Sequence, residues 1–171
     1  MAYMEYKVDY LWVSDHGVSM DGKNYIIALG SNKGDKKAQI EMAVERIKES
    51  VGELMAQSSL YETEPYGGVA DGAFVNAAVV VRSTLEPHDV LQKLLHIESS
   101  MGRIRDKKWG NREIDLDIIF LIDQGVFTEV RSETLLVPHP EALKRDFVMA
   151  PALEAMSQLY PLKPVNYSLE P

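Results

Sequence analysis

The chain has 171 residues, 46% hydrophobic and 26% charged, which suits one globular domain with a core of its own. A net charge of −8 lacks the basic footprint of a general nucleic-acid binder, and the absence of cysteine excludes disulfides, thiolate zinc sites and cysteine nucleophiles. No apolar run is long enough to span a bilayer, and Glu5, Lys7 and Asp9 interrupt the stretch where a secretory signal would be apolar, so a cytoplasmic location is expected.

Residues 1–24 read as an N-terminal extension of unknown role. Tyr6, Val8 and Tyr10 alternate with charged residues, which allows a short strand, and 14–24 reads as turn or linker. A single domain is expected over 25–171. It opens with an apolar strand at 25–30, closed by Gly30-Ser31-Asn32. Ile40, Ala43, Val44, Ile47 and Val51 form a helical stripe, with Asp35 placed to cap its start and Gly52 its end. Residues 54–61 read as a second strand, 62–73 as a long loop rich in glycine, and 74–82 as a third strand. Pro87 starts a second helix with Val90, Leu91, Leu94, Leu95 and Met101 turned inward, stopped by Gly102. A second long loop, 103–113, leads into a fourth strand beginning at Ile114.

This order is βαββαβ, so the expected class is α+β: a ferredoxin-like core with an antiparallel sheet, helices packed on it, long catalytic loops and a C-terminal extension. Strand directions then bring five segments to one edge. They are the turn at Gly30, the 62–73 loop, Phe74 with Asn76, the 103–113 loop, and Asp115 with Asp117.

The chemistry centres on those two acids. Strand side chains alternate, so Asp115 and Asp117 share a face roughly 7 Å apart. The alternation places Ile119 and Leu121 on that face and Ile114, Leu116, Ile118, Phe120 and Ile122 on the other. With both faces apolar, a cation is the economical partner for the pair, and hard oxygen ligands suit one or two magnesium ions. A lone D-x-D more often marks a wet strand end. Arg103 and Arg112 in the preceding loop are placed to neutralise charge on a transferred phosphate. Arg105, Lys107 and Lys108 are as readily solvated surface charges. Trp109 is placed to cover a nucleotide or seal the site.

Residues 30–37 miss the spacing of a P-loop, and the four histidines form no metal pattern. His16, His88 and His96 read as surface residues; His139 sits in a Pro-flanked turn, where stabilising the turn and touching a ligand are equal options. Glu98 borders the apolar face of its helix, where a buried carboxylate needs a partner such as a basic loop residue. Asn76 offers a donor and an acceptor to a lactam–amine edge, and Thr63, Pro65, Tyr66, Phe74 and Phe147 supply walls for a flat heteroaromatic.

The motifs GSN at 30–32, YETEPYG at 61–67, FVNAAV at 74–79, GRIR at 102–105, WGNREIDLDII at 109–119 and LVPHP at 136–140 follow one another in the order of a known family. From about Tyr25 to Leu153 the chain resembles the 6-hydroxymethyl-7,8-dihydropterin pyrophosphokinases of folate synthesis. The resemblance implies transfer of pyrophosphate from ATP to the pterin hydroxymethyl group, with attack on the β-phosphorus and release of AMP. It implies Mg²⁺, as two ions, on Asp115 and Asp117, with Arg103 and Arg112 assisting transfer. Thr63, Pro65, Tyr66, Phe74, Asn76 and Phe147 then fall at pterin-pocket positions. Glu98, Arg105, Trp109, Arg112, His139 and Arg145 fall on the ATP side. The implied partners are these two substrates, with neither nucleic acid nor membrane, and a dihydropteroate synthase receiving the product. Leu95, Asn111, Thr134 and Pro140 depart from residues common in the family, and Phe74 replaces a common tyrosine. Two other readings stay open on the residues alone: a non-catalytic ferredoxin-like module for a metabolite or RNA, and a magnesium-dependent phosphotransferase with another acceptor.

Overall fold

The computed structural model of the chain describes residues 22–63, 73–102 and 113–160. Arg103, Arg105, Trp109, Arg112, Pro65, Tyr66 and His16 lie outside the described residues. The chain order is β1 (Lys23–Ser31), α1 (Lys36–Ser50), β2 (Glu53–Gln57), β3 (Tyr61–Thr63), β4 (Phe74–Ser83), α2 (Pro87–Ser100), β5 (Asp115–Asp123), β6 (Val126–Phe127), β7 (Val130–Arg131), β8 (Leu136–Val137), a 3-10 turn (Ala142–Lys144) and α3 (Asp146–Ser157). The protein is a mixed α/β structure. Its antiparallel main sheet has the order β2-β4-β1-β5-β6, with β3 also paired to β4, and β7 and β8 form a separate pair.

Period-two alternation divides the core between the two sheet faces. Tyr25, Ile27 and Leu29 of β1, with Ala77, Val79 and Val81 of β4, pack against Ile40, Val44 and Ile47 of α1 and Val90, Leu94 and Ile97 of α2. Ile26 of β1 and Ala78 and Val80 of β4 turn the other way, onto Ala152, Ala155 and Met156 of α3. Each fully buried aliphatic side chain removes apolar area worth about 1.5–3 kcal/mol from water. Helix ends follow their local chemistry. Asp35 caps α1, its Oδ1 accepting from the Ala38 amide at 3.1 Å, and Pro87 opens α2 where its missing N–H costs nothing.

The structure corrects four expectations. The single strand expected over 54–61 is two, β2 and β3, broken at residues 58–60. The buried stripe of α2 runs through Val90, Leu94, Ile97 and Glu98, while Leu91 and Leu95 sit one position around the helix and are half-buried. In β5 the pairing passes from Ile26–Phe120 to Ile27–Ile118, so Ile119 is an extra, bulged residue. Beyond it the alternation reverses: Phe120 and Ile122 join the α3 face and Leu121 the α1/α2 face, opposite to strict alternation from Asp117. The C-terminal part, expected as an extension without named elements, contains α3. That helix hides in the sequence because it carries Pro151 in its interior and is apolar nearly all round.

Candidate active site

On one face of the sheet, α3 packs over Ile26, Ala78 and Val80 at one end. Across the other end runs a row of polar and small residues. Tyr61 and Thr63 of β3 pair with Asn76 and Phe74 of β4, Asn76 pairs with Gly30 of β1, Gly30 pairs with Asp115 of β5, and Ala28 pairs with Asp117. Directly paired antiparallel residues share a face, so Thr63, Asn76, Gly30, Asp115 and Asp117 all lie on the α3 side of the sheet, with Asn76 buried. Asp115 and Asp117 are half-buried. Gly30 gives Asn76 room: a Cβ there would stand 3.2 Å from Asn76 Oδ1, which would then have to shift by a few tenths of an ångström. Asn76 Nδ2 donates to Thr63 Oγ1 at 3.1 Å, which fixes the amide plane.

Behind this row, Glu98 of α2 is 2% exposed, and its Oε2 accepts from the Leu116 amide at 3.0 Å. Leu116 lies between the two aspartates, so the buried carboxylate holds the backbone that carries both. The basic loop expected as its partner lies outside the described residues.

His139 follows the cis Val137–Pro138 peptide by one residue. Its amide donates to the Ile119 carbonyl at 3.1 Å, using the bulged residue of β5, and its Nδ1 accepts from the Glu141 amide at 3.2 Å. Burial, then the nearby Arg145 guanidinium, push the imidazole below its usual value, opposed by Asp115 and Glu141. The two hydrogen bonds show His139 stabilising its turn. Arg145 precedes α3, with its guanidinium carbon 6.0 Å from the Phe147 ring centroid. The residues flanking segment 103–112 also meet. Gly102 has φ +88°, a Cβ there would lie 2.7 Å from Glu113 Oε2, and Glu113 pairs with Lys33 at 3.4 Å. His88 and His96 are exposed, as expected.

Among the described residues no group of three or more His, Asp or Glu side chains is placed to hold a metal ion. Asp115 and Asp117 still fit magnesium, which commonly takes one or two protein carboxylates and fills its octahedron with water and substrate phosphate. Sequence reasoning missed Ser59, Tyr61 and Glu154, which form a hydrogen-bonded cluster beside β3. The signal available was Glu154 standing as the lone acid in an apolar stretch, 147–156.

A family model described as 7,8-dihydro-6-hydroxymethylpterin-pyrophosphokinase (HPPK) matches residues 26–157. The chain is 38% identical over 141 residues to the 2-amino-4-hydroxy-6-hydroxymethyldihydropteridine pyrophosphokinase of Porphyromonas gingivalis, covering 81% of this chain and 94% of that one. It is 37% identical over 134 residues to the Bacillus subtilis protein of the same name, covering 78% of each. In fold it is similar to the crystal structure of Plasmodium falciparum HPPK-DHPS wild type with SDX-DHP, with a TM-score of 0.59 and 18% identity. That alignment covers 84% of this chain and 41% of the longer one, and it speaks to the fold alone. By the extent of the family match and the identity to these relatives, the chain belongs to the 7,8-dihydro-6-hydroxymethylpterin-pyrophosphokinase family.

Proposed function

We propose that this chain transfers a pyrophosphoryl group from ATP to the hydroxymethyl oxygen of 6-hydroxymethyl-7,8-dihydropterin. A bond forms between that oxygen and the β-phosphorus, the bond from the β-phosphorus to the α–β bridging oxygen breaks, AMP leaves, and the hydroxyl proton passes to solvent. The observation that carries the reading is the register seating Gly30 between Asn76 and Asp115. It sets an amide suited to a lactam–amine edge two strand spacings, roughly 10 Å, from a carboxylate pair. A bicyclic ring with a short hydroxymethyl arm spans such a gap.

Asn76, Thr63, Phe74 and Phe147, with Pro65 and Tyr66, then bind the pterin. Glu98, His139 and Arg145, with Arg105, Trp109 and Arg112, face the nucleotide. Asp115 and Asp117 hold Mg²⁺, as two ions, which supplies charge neutralisation to the phosphates. Arg103 and Arg112 do the same from the protein side. The strand order, with two helices on one face, supports the finer ferredoxin-like arrangement. The family match over 26–157 supports one catalytic domain over 25–171 with residues 1–24 as an extension. The joined name HPPK-DHPS of the Plasmodium structure supports a dihydropteroate synthase as receiver of the product. None of the described helices is long and apolar enough to cross a membrane, which accords with a cytoplasmic enzyme.

Nucleotide analysis of a reaction with ATP, magnesium and hydroxymethyldihydropterin tests the proposal. AMP and a diphosphorylated pterin are expected; ADP with a singly phosphorylated pterin refutes it and points to another phosphotransferase.

A further inference from the structure

The break between β2 and β3 has a specific cause. Ser58 stays on the sheet: its amide donates to the Ala78 carbonyl at 2.9 Å, and its Oγ accepts from the Ala78 amide at 2.9 Å. Ser59 turns to α3 instead. Its amide and its hydroxyl both donate to Glu154 Oε1, at 3.1 and 2.5 Å, and the Tyr61 hydroxyl donates to Glu154 Oε2 at 2.6 Å. Both oxygens of one carboxylate are thus spent on the first turn of chain entering β3. The strand needs such help, because it has three residues and, among the described residues, pairs with β4 alone.

We infer that Glu154 is a positioning residue for the pterin side of the site: by clamping Ser59 and Tyr61 it holds β3, and hence Thr63, in register against Asn76. Glu154 touches no substrate itself. Tyr61 pairs with Asn76, and Thr63 Oγ1 takes the hydrogen bond from Asn76 Nδ2, so the amide is presented with its nitrogen toward β3 and its oxygen toward Gly30. A β3 free to drift loosens that amide. The helix would stay in place without the clamp, since Ala152, Ala155 and Met156 are buried in the core and Gln158 Nε2 donates to the Gln57 carbonyl at 2.8 Å. Loss of Glu154 therefore releases the strand, not the helix. The inference rests on the pterin assignment made above.

The test uses Glu154→Ala and Glu154→Gln in the full chain, with three readouts. Glu154→Ala is expected to raise the KM for hydroxymethyldihydropterin about tenfold with the KM for ATP unchanged, and to speed hydrogen exchange at the amides of Tyr61–Thr63 while β1 amides stay protected. Glu154→Gln, which keeps one accepting oxygen, is expected to recover part of both effects. Unchanged exchange in β3, or a rise in both KM values together, overturns the inference, since a merely structural role would produce the latter alongside a lowered Tm. A wild-type chain that binds no pterin in a direct fluorescence titration sinks the pyrophosphokinase reading and the inference with it; a normal wild type with an indistinguishable Glu154→Ala sinks the inference alone.

Discussion

The α3 side of the sheet has two ends made from the same strands, and they differ in almost everything else. At one end Ile26, Ala78, Val80 and Ile122 lie under Ala152, Ala155 and Met156 of α3. At the other, Thr63, Asn76, Gly30, Asp115 and Asp117 occupy equivalent positions on the same face, with Asn76 buried and the two aspartates half-buried. Strand alternation assigns side chains to a face but does not decide what the face is for. That is settled by where the helix stops. An acid pair under α3 would carry the full cost of buried charge, which the half-buried Asp115 and Asp117 avoid in part.

Substitutions can break this contrast from either side. The largest effect is expected at the aspartate end: Asp115→Ala or Asp117→Ala should lower turnover by about a thousandfold or more, because several kcal/mol of charge stabilisation is lost. Tm should stay within a few degrees of wild type. Full turnover in both variants, measured as AMP released, would remove the acids from the mechanism. At the α3 end the pattern should invert. Met156→Ala opens a cavity beneath α3 and is expected to cost about 2–5 kcal/mol in a denaturant titration, with kcat per folded molecule little changed. A stable Met156→Ala variant with crippled catalysis would mean that the two ends are not separable.

A smaller effect belongs to Asn76→Ala. The buried amide donates to Thr63 beside the aspartates, so an increase of about tenfold in pterin KM is expected with little change for ATP, in line with one lost hydrogen bond of about 1–2 kcal/mol. Equal effects on both substrates would argue that Asn76 shapes the sheet and not the pocket. The smallest concerns pH. Hydrogen bonds from Ser59, then Tyr61, hold the Glu154 carboxyl below its ordinary 4.5, and the same bond to Glu154 raises the Tyr61 phenol. A depressed folded value means that the unfolded chain binds the proton more readily. The contribution is thus complete above about pH 4.5 and is lost as pH falls through the folded value. Wild type should lose slightly more stability than Glu154→Gln between pH 6 and 3, read by urea midpoints; parallel curves would show the carboxylate to be energetically idle.

The parts legible in the sequence were those whose signals are local. Apolar runs and helical stripes gave the strands and helices from β1 to β5 apart from the split of 54–61 into β2 and β3, Asp35 and Pro87 marked helix starts, and the spacing of Asp115 and Asp117 gave a shared face. What escaped depends on distant partners. Residues 54–61 carry strand-like composition throughout, and only the presence of Glu154, 95 positions from Ser59, turns the Ser59 amide out of the ladder. Likewise nothing in the run Asp115–Asp123 marks Ile119 as extra; that follows from the pairing with β1 and the hydrogen bond to His139. The α3 helix was invisible because apolar residues such as Leu153 also occupy its exposed side, which blurs the helical period, and a proline in it is tolerated when packing outweighs the missing bond.

The Ile119 bulge has one more effect. An ordinary ladder can slide by two residues and keep its inside and outside. A single inserted residue with its carbonyl tethered to a separate part of the chain removes that freedom, since any slip would have to carry the insertion and its tether along. The offset between the aspartates and Gly30 of β1 is therefore locked in whole-residue steps.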